Sequence, residues 1–374
     1  MSKKRILHIS KFYHPYYGGI EDVVYTIVNE LKDDYEQRVI CFNHERGFVR
    51  SMDNGIEIIR VNAPVSIASQ PCSVSFLWKL QHEINSFRPD IIHIHFPNPL
   101  VAAYLLMVNT HGAKIVVHWH ADIIGKKAMY TFVKPIERKV LKRAYRIVAT
   151  SKQYIAKSAP LQPFLDKIVI IPNTINESKL QFFKGEEKKI NAIREMYNGK
   201  KIVFYVGRHV NYKGVDYLIK AASQLPDDDC VVLIGGTGTE TANLRHLAKP
   251  LGDKVRFLGR LPNNEMKYYL CAATVFAFPS IDRREAFGVA LAEALYCGTP
   301  AVSFYIEGSG TTWVNQHEKT GLVVQDKDAG HYAQAITQLL CDEELCKQYG
   351  DNAAEWVRTH FLKNQISQLA TIYQ

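Results

Sequence analysis

Short apolar, β-branched runs alternate with amphipathic helical patterns along almost the whole chain, and this alternation restricts the fold more than any single motif. Arg5–Ser10, Glu36–Phe42, Glu57–Val61, Ile91–His95, Lys114–His118, Arg146–Ala149 and Val169–Ile171 have strand composition. Ile20–Leu31 and Phe76–Phe87 repeat their apolar residues at helical spacing. Strands that alternate with helices build a parallel sheet covered on both faces. A second series follows. Its strands are Lys201–Val206, Cys230–Gly235, Val255–Leu258, Val275–Pro279 and Pro300–Phe304. Its helices are Val215–Ser223, Asn243–Ala248, Met266–Ala272 and Gly288–Tyr296, with further helices from Ala329 onward. A chain of 374 residues exceeds one ordinary core, so two doubly wound α/β domains are expected. Pro172-Asn173 and the charged run Lys184–Lys189 place the linker near residues 174–185. In tandem domains of this kind a ligand binds beyond the C-terminal ends of the strands.

Several function classes drop out on composition. Hydrophobic residues make up 47% and charged residues 22%, which suits a globular chain. Apolar stretches such as Leu100–Val108 fall far short of the roughly 20 residues of a membrane span. The opening MSKKRILHIS has no long apolar region, so no signal peptide is expected. Seven cysteines without CxxC spacing read as reduced thiols of a cytosolic protein. No GxSxG, P-loop or HExxH pattern occurs.

Charge is uneven. Residues 1–180 hold 24 Lys+Arg against 15 Asp+Glu, while the remainder holds 22 of each, so the whole excess of +9 lies in the first half. Lys126, Lys127, Lys134, Arg138, Lys139, Lys142, Arg143 and Arg146 fall in one stretch, opposed only by Glu137. Met129, Val133, Ile136, Val140, Ala144 and Ile147 recur there at helical spacing. Two readings stay open: a core-packed helix with a solvated basic face, or a patch for anionic lipid headgroups or an anionic acceptor. Nucleic acid is not expected, since no aromatic stacking platform accompanies the charge.

The chemistry-bearing residues cluster after strands. Between Ser280 and Pro300, Glu285 and Glu293 stand eight positions apart and bracket Ala286-Phe287-Gly288-Val289-Ala290. The helix start between them exposes backbone N–H groups suited to phosphate. A loop acid, an anion site and a helix acid in a row suit a ligand made of sugar, diphosphate and ribose. Gly207–Gly214 also follows a strand, so Arg208 and Lys213 would present two cations to a diphosphate unless they are ordinary surface bases. Gly235-Gly236-Thr237-Gly238 lacks the three-glycine dinucleotide spacing. Gly18-Gly19, after Tyr16-Tyr17, is either a tight turn or a point where backbone approaches a phosphate. His93-Ile94-His95 and His118-Trp119-His120 put pairs of rings on one strand face. Only Asp122 adds a ligand-type residue nearby, so no metal is expected. His93 reads as a core histidine, and His120 as a hydrogen-bonding partner for a sugar. Asp227-Asp228-Asp229 reads as a solvated turn.

GR-x4-KG (Gly207 to Gly214), Glu-x7-Glu (Glu285, Glu293), the Gly18-Gly19 loop and the DIIHIH and HWHAD segments together resemble the retaining family 4 glycosyltransferases of the GT-B fold. The resemblance spans nearly the whole chain, in order, and includes IPNTI before the linker and GLVV at Gly321–Val324. HWHAD and GSGTTWVN are most similar to the mannosyl- or rhamnosyltransferase branch of bacterial O-antigen and polysaccharide assembly. The resemblance implies two Rossmann-like domains facing each other across a cleft: residues 1–176 for the acceptor and 177–354 for the nucleotide sugar, with a helix at about 355–374 crossing back. It also implies roles. Arg208 and Lys213 would bind the donor diphosphate, and Glu285 would hold hydroxyls of the transferred sugar. The backbone of Phe287, Gly288, Val289 and Ala290 would grip sugar and phosphate, Glu293 the ribose, and Gly18 and Gly19 the phosphate. His120 would lie beside the reacting sugar. His120, Glu285, Arg208 and Lys213 are thus the expected catalytic set, with no metal and no cofactor beyond the donor. The acidic residue usual in the family after strand Pro300–Phe304 is not in register, which leaves Glu307 without an assigned donor role.

The expected activity is transfer of a hexose, mannose from GDP-mannose first, onto a lipid-linked glycan in O-antigen assembly, at the inner face of the cytoplasmic membrane. A UDP-hexose donor, a GT-B epimerase or phosphorylase, and a non-enzymatic polyanion-binding protein are the alternatives.

Overall fold

The computed structural model describes residues 3–16, 18–67, 70–125, 127–183, 185–226 and 229–374. Tyr17, Lys126, Asp227 and Asp228 lie outside these, as does the side chain of Lys127. The chain forms two compact units, one of residues 1–174 with 363–374 and one of residues 175–362.

The first unit is built on β1 (Arg5–Ile9), β2 (Glu36–Phe42), β3 (Val49–Asp53), β4 (Ile56–Val61), a small hairpin of β5 (Val65–Ile67) and β6 (Gln70–Cys72), β7 (Ile91–Phe96), β8 (Lys114–Trp119), β9 (Arg146–Ala149) and β10 (Ile168–Ile170). Eight of these strands form one sheet in the order β10-β9-β8-β7-β1-β2-β4-β3. Only β3 runs antiparallel, closing a hairpin onto β4 that the alternation did not reveal. Asn54 and Gly55, both at positive φ, make its turn, so the pairing depends on turn chemistry and not on hydrophobic period. The interior strands are buried on both faces, as the continuous apolar runs imply.

The second unit holds β11 (Lys201–Val206), β12 (Cys230–Gly235), β13 (Val255–Gly259), β14 (Val275–Phe278), β15 (Ala301–Phe304) and β16 (Gly321–Val324). Their order is β13-β12-β11-β14-β15-β16, all parallel. The order in which strands are added reverses between β11 and β14, and this is the point where doubly wound sheets open a crevice for ligands. One apolar core fills each face of the sheet, around Val203, Ile219 and Ile336 on one side and Phe204, Leu291 and Val357 on the other.

The division falls at different places from those expected. The expected linker, 174–185, of which Lys184 lies outside the described residues, is not free at its start: Ile175 and Leu180 are buried in the second core, and the Ile175 N–H donates to Phe361 O at 2.9 Å. The helix Glu343–His360 also belongs to the second unit, because Ala353, Val357 and Phe361 pack in that core. The return to the first unit starts at Lys363 rather than near residue 355. There Leu369, Ile372 and Tyr373 are buried, and Lys4 Nζ donates to Tyr373 O at 3.0 Å. All seven cysteines are free thiols. No helix among the described residues is long and apolar enough to cross a membrane.

Candidate functional site

The crevice position of the second unit is lined by the loops that follow β11 and β14, and each carries one of the expected motifs. After β11 the chain makes a short 3-10 turn, Asn211–Lys213, and enters the helix Val215–Ala222 through Gly214. Gly214 has φ +61, and a Cβ there would stand 2.1 Å from Pro279 O at the end of β14. Only glycine lets the two loops meet this closely. The consequence is that Lys213 Nζ forms an ion pair with Glu285, although 72 residues separate them. Ser280 Oγ donates to the same carboxylate at 3.0 Å. Lys213 also lies 5.4 Å from the centre of the Phe278 ring. Arg208 is exposed beside them, with Nη2 donating to Tyr212 Oη at 3.1 Å.

Behind Glu285 the chain turns through Gly288, at φ +90, into the helix Val289–Tyr296. Glu285 is 8% exposed and Glu293, on that helix, 6%. The Phe287 side chain faces the core, edge-on to Phe361 at 5.3 Å, so only its backbone is available for a ligand. Val289 and Ala290 sit half-buried at the helix start. Ser309 Oγ donates to Glu285 O, and Gly310 N–H to Ala286 O at 2.8 Å, so the stretch after β15 braces the glutamate loop. Sequence reasoning missed Ser280 and Ser309. Ser280 sits five residues before Glu285, at the strand end, which is the one signal that pointed to it. Glu307, in the same brace, is exposed. The Gly235–Gly238 loop is stitched to the β11 loop, with His209 N–H donating to Thr237 O at 3.0 Å.

In the first unit, Gly18 caps the helix Gly19–Glu30 with extended backbone. A Cβ on Gly19 would meet nothing within 4 Å, so packing inside the chain does not require glycine there. His120 follows β8 and is 3% exposed. Its Nε2 shares a hydrogen bond with His95 Nδ1 at 3.0 Å, and its ring stacks on His118 at 4.2 Å. Burial lowers its pKa to about 3, with the Asn173 side chain pulling it partly back, so the ring is neutral. Asp122 is not directed to His120. Its carboxylate accepts from Trp119 Nε1 at 2.8 Å and Ser158 Oγ at 2.7 Å.

The basic stretch divides. The helix Lys127–Arg143 exposes Lys134, Arg138, Lys139 and Lys142, together with Phe132 at 78% and Met129. Arg143, also exposed, donates to Leu105 O at 3.2 Å and Thr110 Oγ1 at 2.7 Å. Arg146 lies on β9, its guanidinium 4.8 Å from the Tyr145 ring centre. The apparent helical period through Ala144 and Ile147 is a correction: the helix stops at Arg143, and Ile147 is a strand core residue. Glu137, read as the one opposing acid of the patch, is buried at 2%.

Comparison with known proteins fits this geometry. The family model described as Glycosyltransferase Family 4 matches residues 17–179, and the one described as Glycosyl transferases group 1 matches residues 186–356. The chain is 33% identical over 359 residues to O-antigen chain mannosyltransferase C of Escherichia coli, covering 93% of this chain and 92% of that one. It is 29% identical over 360 residues to D-rhamnosyltransferase WbpZ of Pseudomonas aeruginosa, covering 96% and 92%. Among solved structures, sucrose-phosphate synthase from Thermosynechococcus elongatus superposes with a TM-score of 0.81 at 21% identity, over 99% of this chain and 98% of that one. Anabaena HepE in complex with UDP and glucose gives 0.76 at 18%, over 99% and 98%. With motif order, sheet topology and whole-length similarity in agreement, the chain belongs to the family 4 glycosyltransferases of the GT-B fold, in the branch of the O-antigen mannosyl- and rhamnosyltransferases.

Proposed function

We propose that this hexosyltransferase moves mannose from GDP-mannose onto a lipid-linked glycan acceptor, with retention of configuration and without a metal at the donor phosphates. The observation that carries the reading is the Lys213–Glu285 pair, set with Ser280 at the reversal point of the second sheet beside Arg208. A donor diphosphate there takes the two cations, which offset the negative charge that builds as the bond to the sugar breaks. That leaves the Glu285 carboxylate to accept hydrogen bonds from sugar hydroxyls, and the helix start at Gly288 to face phosphate oxygens. Glu293 accepts from the ribose. In the reaction the bond from the sugar C1 to the phosphate oxygen breaks and a bond from C1 to the acceptor oxygen forms on the same face. The acceptor proton passes to the departing phosphate oxygen. His120, held neutral, serves as a hydrogen-bonding ring and not as an acid.

The choice of mannose and of GDP rests on the similarity to the O-antigen mannosyltransferase. HepE, solved with UDP and glucose, is the model for the competing donor. We place the enzyme at an anionic membrane surface because Lys134, Arg138, Lys139 and Lys142 flank the exposed Phe132. The deciding experiment assays hydrolysis and transfer from a panel of GDP- and UDP-sugars. GDP-mannose is expected to turn over fastest. A UDP-sugar in that place replaces the donor assignment, and no turnover with any sugar nucleotide overturns the reading.

A further inference from the structure

Five histidines from three adjacent strands and the residue after them form one buried row in the first unit. Register sets it: His8 on β1 pairs with His93 on β7, and His95 on β7 pairs with His118 on β8. Ring centres are 5.3 Å apart for His8 and His93, 4.4 Å for His93 and His95, and 5.2 Å for His95 and His118. His8, His93, His95 and His118 are each no more than 1% exposed. His8, His93 and His95 each offer a ring nitrogen, and these lie within 4.8 Å of one another.

What distinguishes this row from a packed core is how the nitrogens are used. Gln37 Nε2 donates to Val28 O at 2.9 Å, which fixes its Oε1 as the atom facing His8 Nε2 at 2.8 Å. His8 must therefore donate from Nε2, and its Nδ1, buried and without a hydrogen-bond partner, carries a lone pair. His93 has Nδ1 on Tyr373 Oη at 2.6 Å and Nε2 buried without a partner. His95 has Nδ1 on His120 at 3.0 Å and Nε2 buried without a partner. Each ring thus has one nitrogen anchored by a neighbour and one left open, the arrangement by which outer-shell partners orient metal-binding imidazoles. A second grouping, His95 with His118 and His120, also has open nitrogens, His120 Nδ1 among them, but is weaker, because His95 and His120 anchor each other and no hydrogen bond anchors His118. His118 has both ring nitrogens buried without partners.

We propose that His8, His93 and His95 hold a divalent transition-metal ion of the zinc class in a three-histidine site. An all-imidazole donor set suits zinc, copper or nickel and disfavours magnesium or calcium. At metal–nitrogen bonds of about 2.0–2.1 Å the nitrogens of a tetrahedral site stand roughly 3.3 Å apart, so the rings close slightly around the ion. Burial already keeps His93 and His95 neutral, the form that ligates. The ion ties β1 and β7 together and, through Tyr373, the end of the chain. It is a structural site within the first unit, and it revises the expectation from sequence that the two HxH segments bind no metal. That expectation weighed each pair with its sequence neighbours and could not include His8.

The test is the metal content of the full-length chain from zinc-supplemented cells, measured by plasma mass spectrometry, with visible spectra of cobalt-grown protein. About one equivalent per chain and the intense bands of four-coordinate Co2+ are expected. His93→Gln and His95→Gln should each cut metal content at least tenfold. Tyr373→Phe removes only a hydroxyl, so it tests the site even if the histidine variants fail to fold. It should weaken retention against a chelator about tenfold. His331→Ala, which removes an exposed imidazole 2.8 Å from Asp326, should change nothing. A metal-free wild-type chain overturns the proposal, as does metal that survives His95→Gln and disappears with His331→Ala.

Discussion

Lys213 and Glu285 come from different loops and are both nearly buried, at 14% and 11% side-chain exposure. A pair in that setting is costly to break from one side, because the remaining charge stays buried. Lys213→Ala is expected to lower stability by about 3 kcal/mol and the double variant with Glu285→Ala by less, read from urea midpoints. Neither should transfer sugar. The two glutamates should separate by kinetics. Glu285→Ala is expected to reduce kcat by more than about 100-fold with nucleotide affinity almost unchanged. Glu293→Ala should instead weaken nucleotide binding, measured by calorimetry with GDP. Equal losses in both quantities for both variants would remove the division between sugar and ribose. Both acids were legible from their spacing around a helix start, whereas the partner of Glu285 was not.

At the scale of elements, the helix Lys127–Arg143 carries two independent predictions. Its Glu137 carboxylate is buried near Tyr130 and Asp122. Burial raises its pKa to about 7, the Tyr130 hydroxyl pulling down and the Asp122 charge adding to the rise. A carboxyl raised above its unfolded value contributes stability that is fully present below pH 4.5 and lost as pH rises through about 7. Glu137→Gln should therefore stabilise the chain by on the order of 3 kcal/mol at pH 8 and leave it nearly unchanged at pH 4.5. A constant difference between those pH values would contradict this. On the outer face, replacing Lys134, Arg138, Lys139 and Lys142 by Gln should reduce pelleting with anionic liposomes, by about 1 kcal/mol per charge at low salt. Neutral vesicles should show no such loss. The sequence announced the basic run. It did not announce that Arg143 bonds back to Leu105 O and Thr110 Oγ1, or that Arg146 lies on β9 and not on the helix.

At the scale of the molecule, the chain ends in the unit where it began. Leu369, Ile372 and Tyr373 bury their side chains there, at roughly 1.5–3 kcal/mol each. The sum approaches the whole stability of an ordinary domain. Deleting residues 363–374 is expected to unfold residues 1–174 while residues 175–362 keep a cooperative transition, as resolved by calorimetry. Two unshifted transitions after the deletion would show that the segment is dispensable.

By itself the sequence determined what depends on near neighbours. The strand and helix periods, the two-unit α/β plan, the loop after each strand, and the acids around Gly288 are all set within a few residues. Only tertiary structure decided which distant residues meet. Strand order put β11 beside β14, so Lys213 found Glu285, and it put β1 beside β7, so His8 joined His93 and His95. The physical reason is that strand order and register are fixed by cooperative packing of whole faces, and no local window of sequence contains that sum.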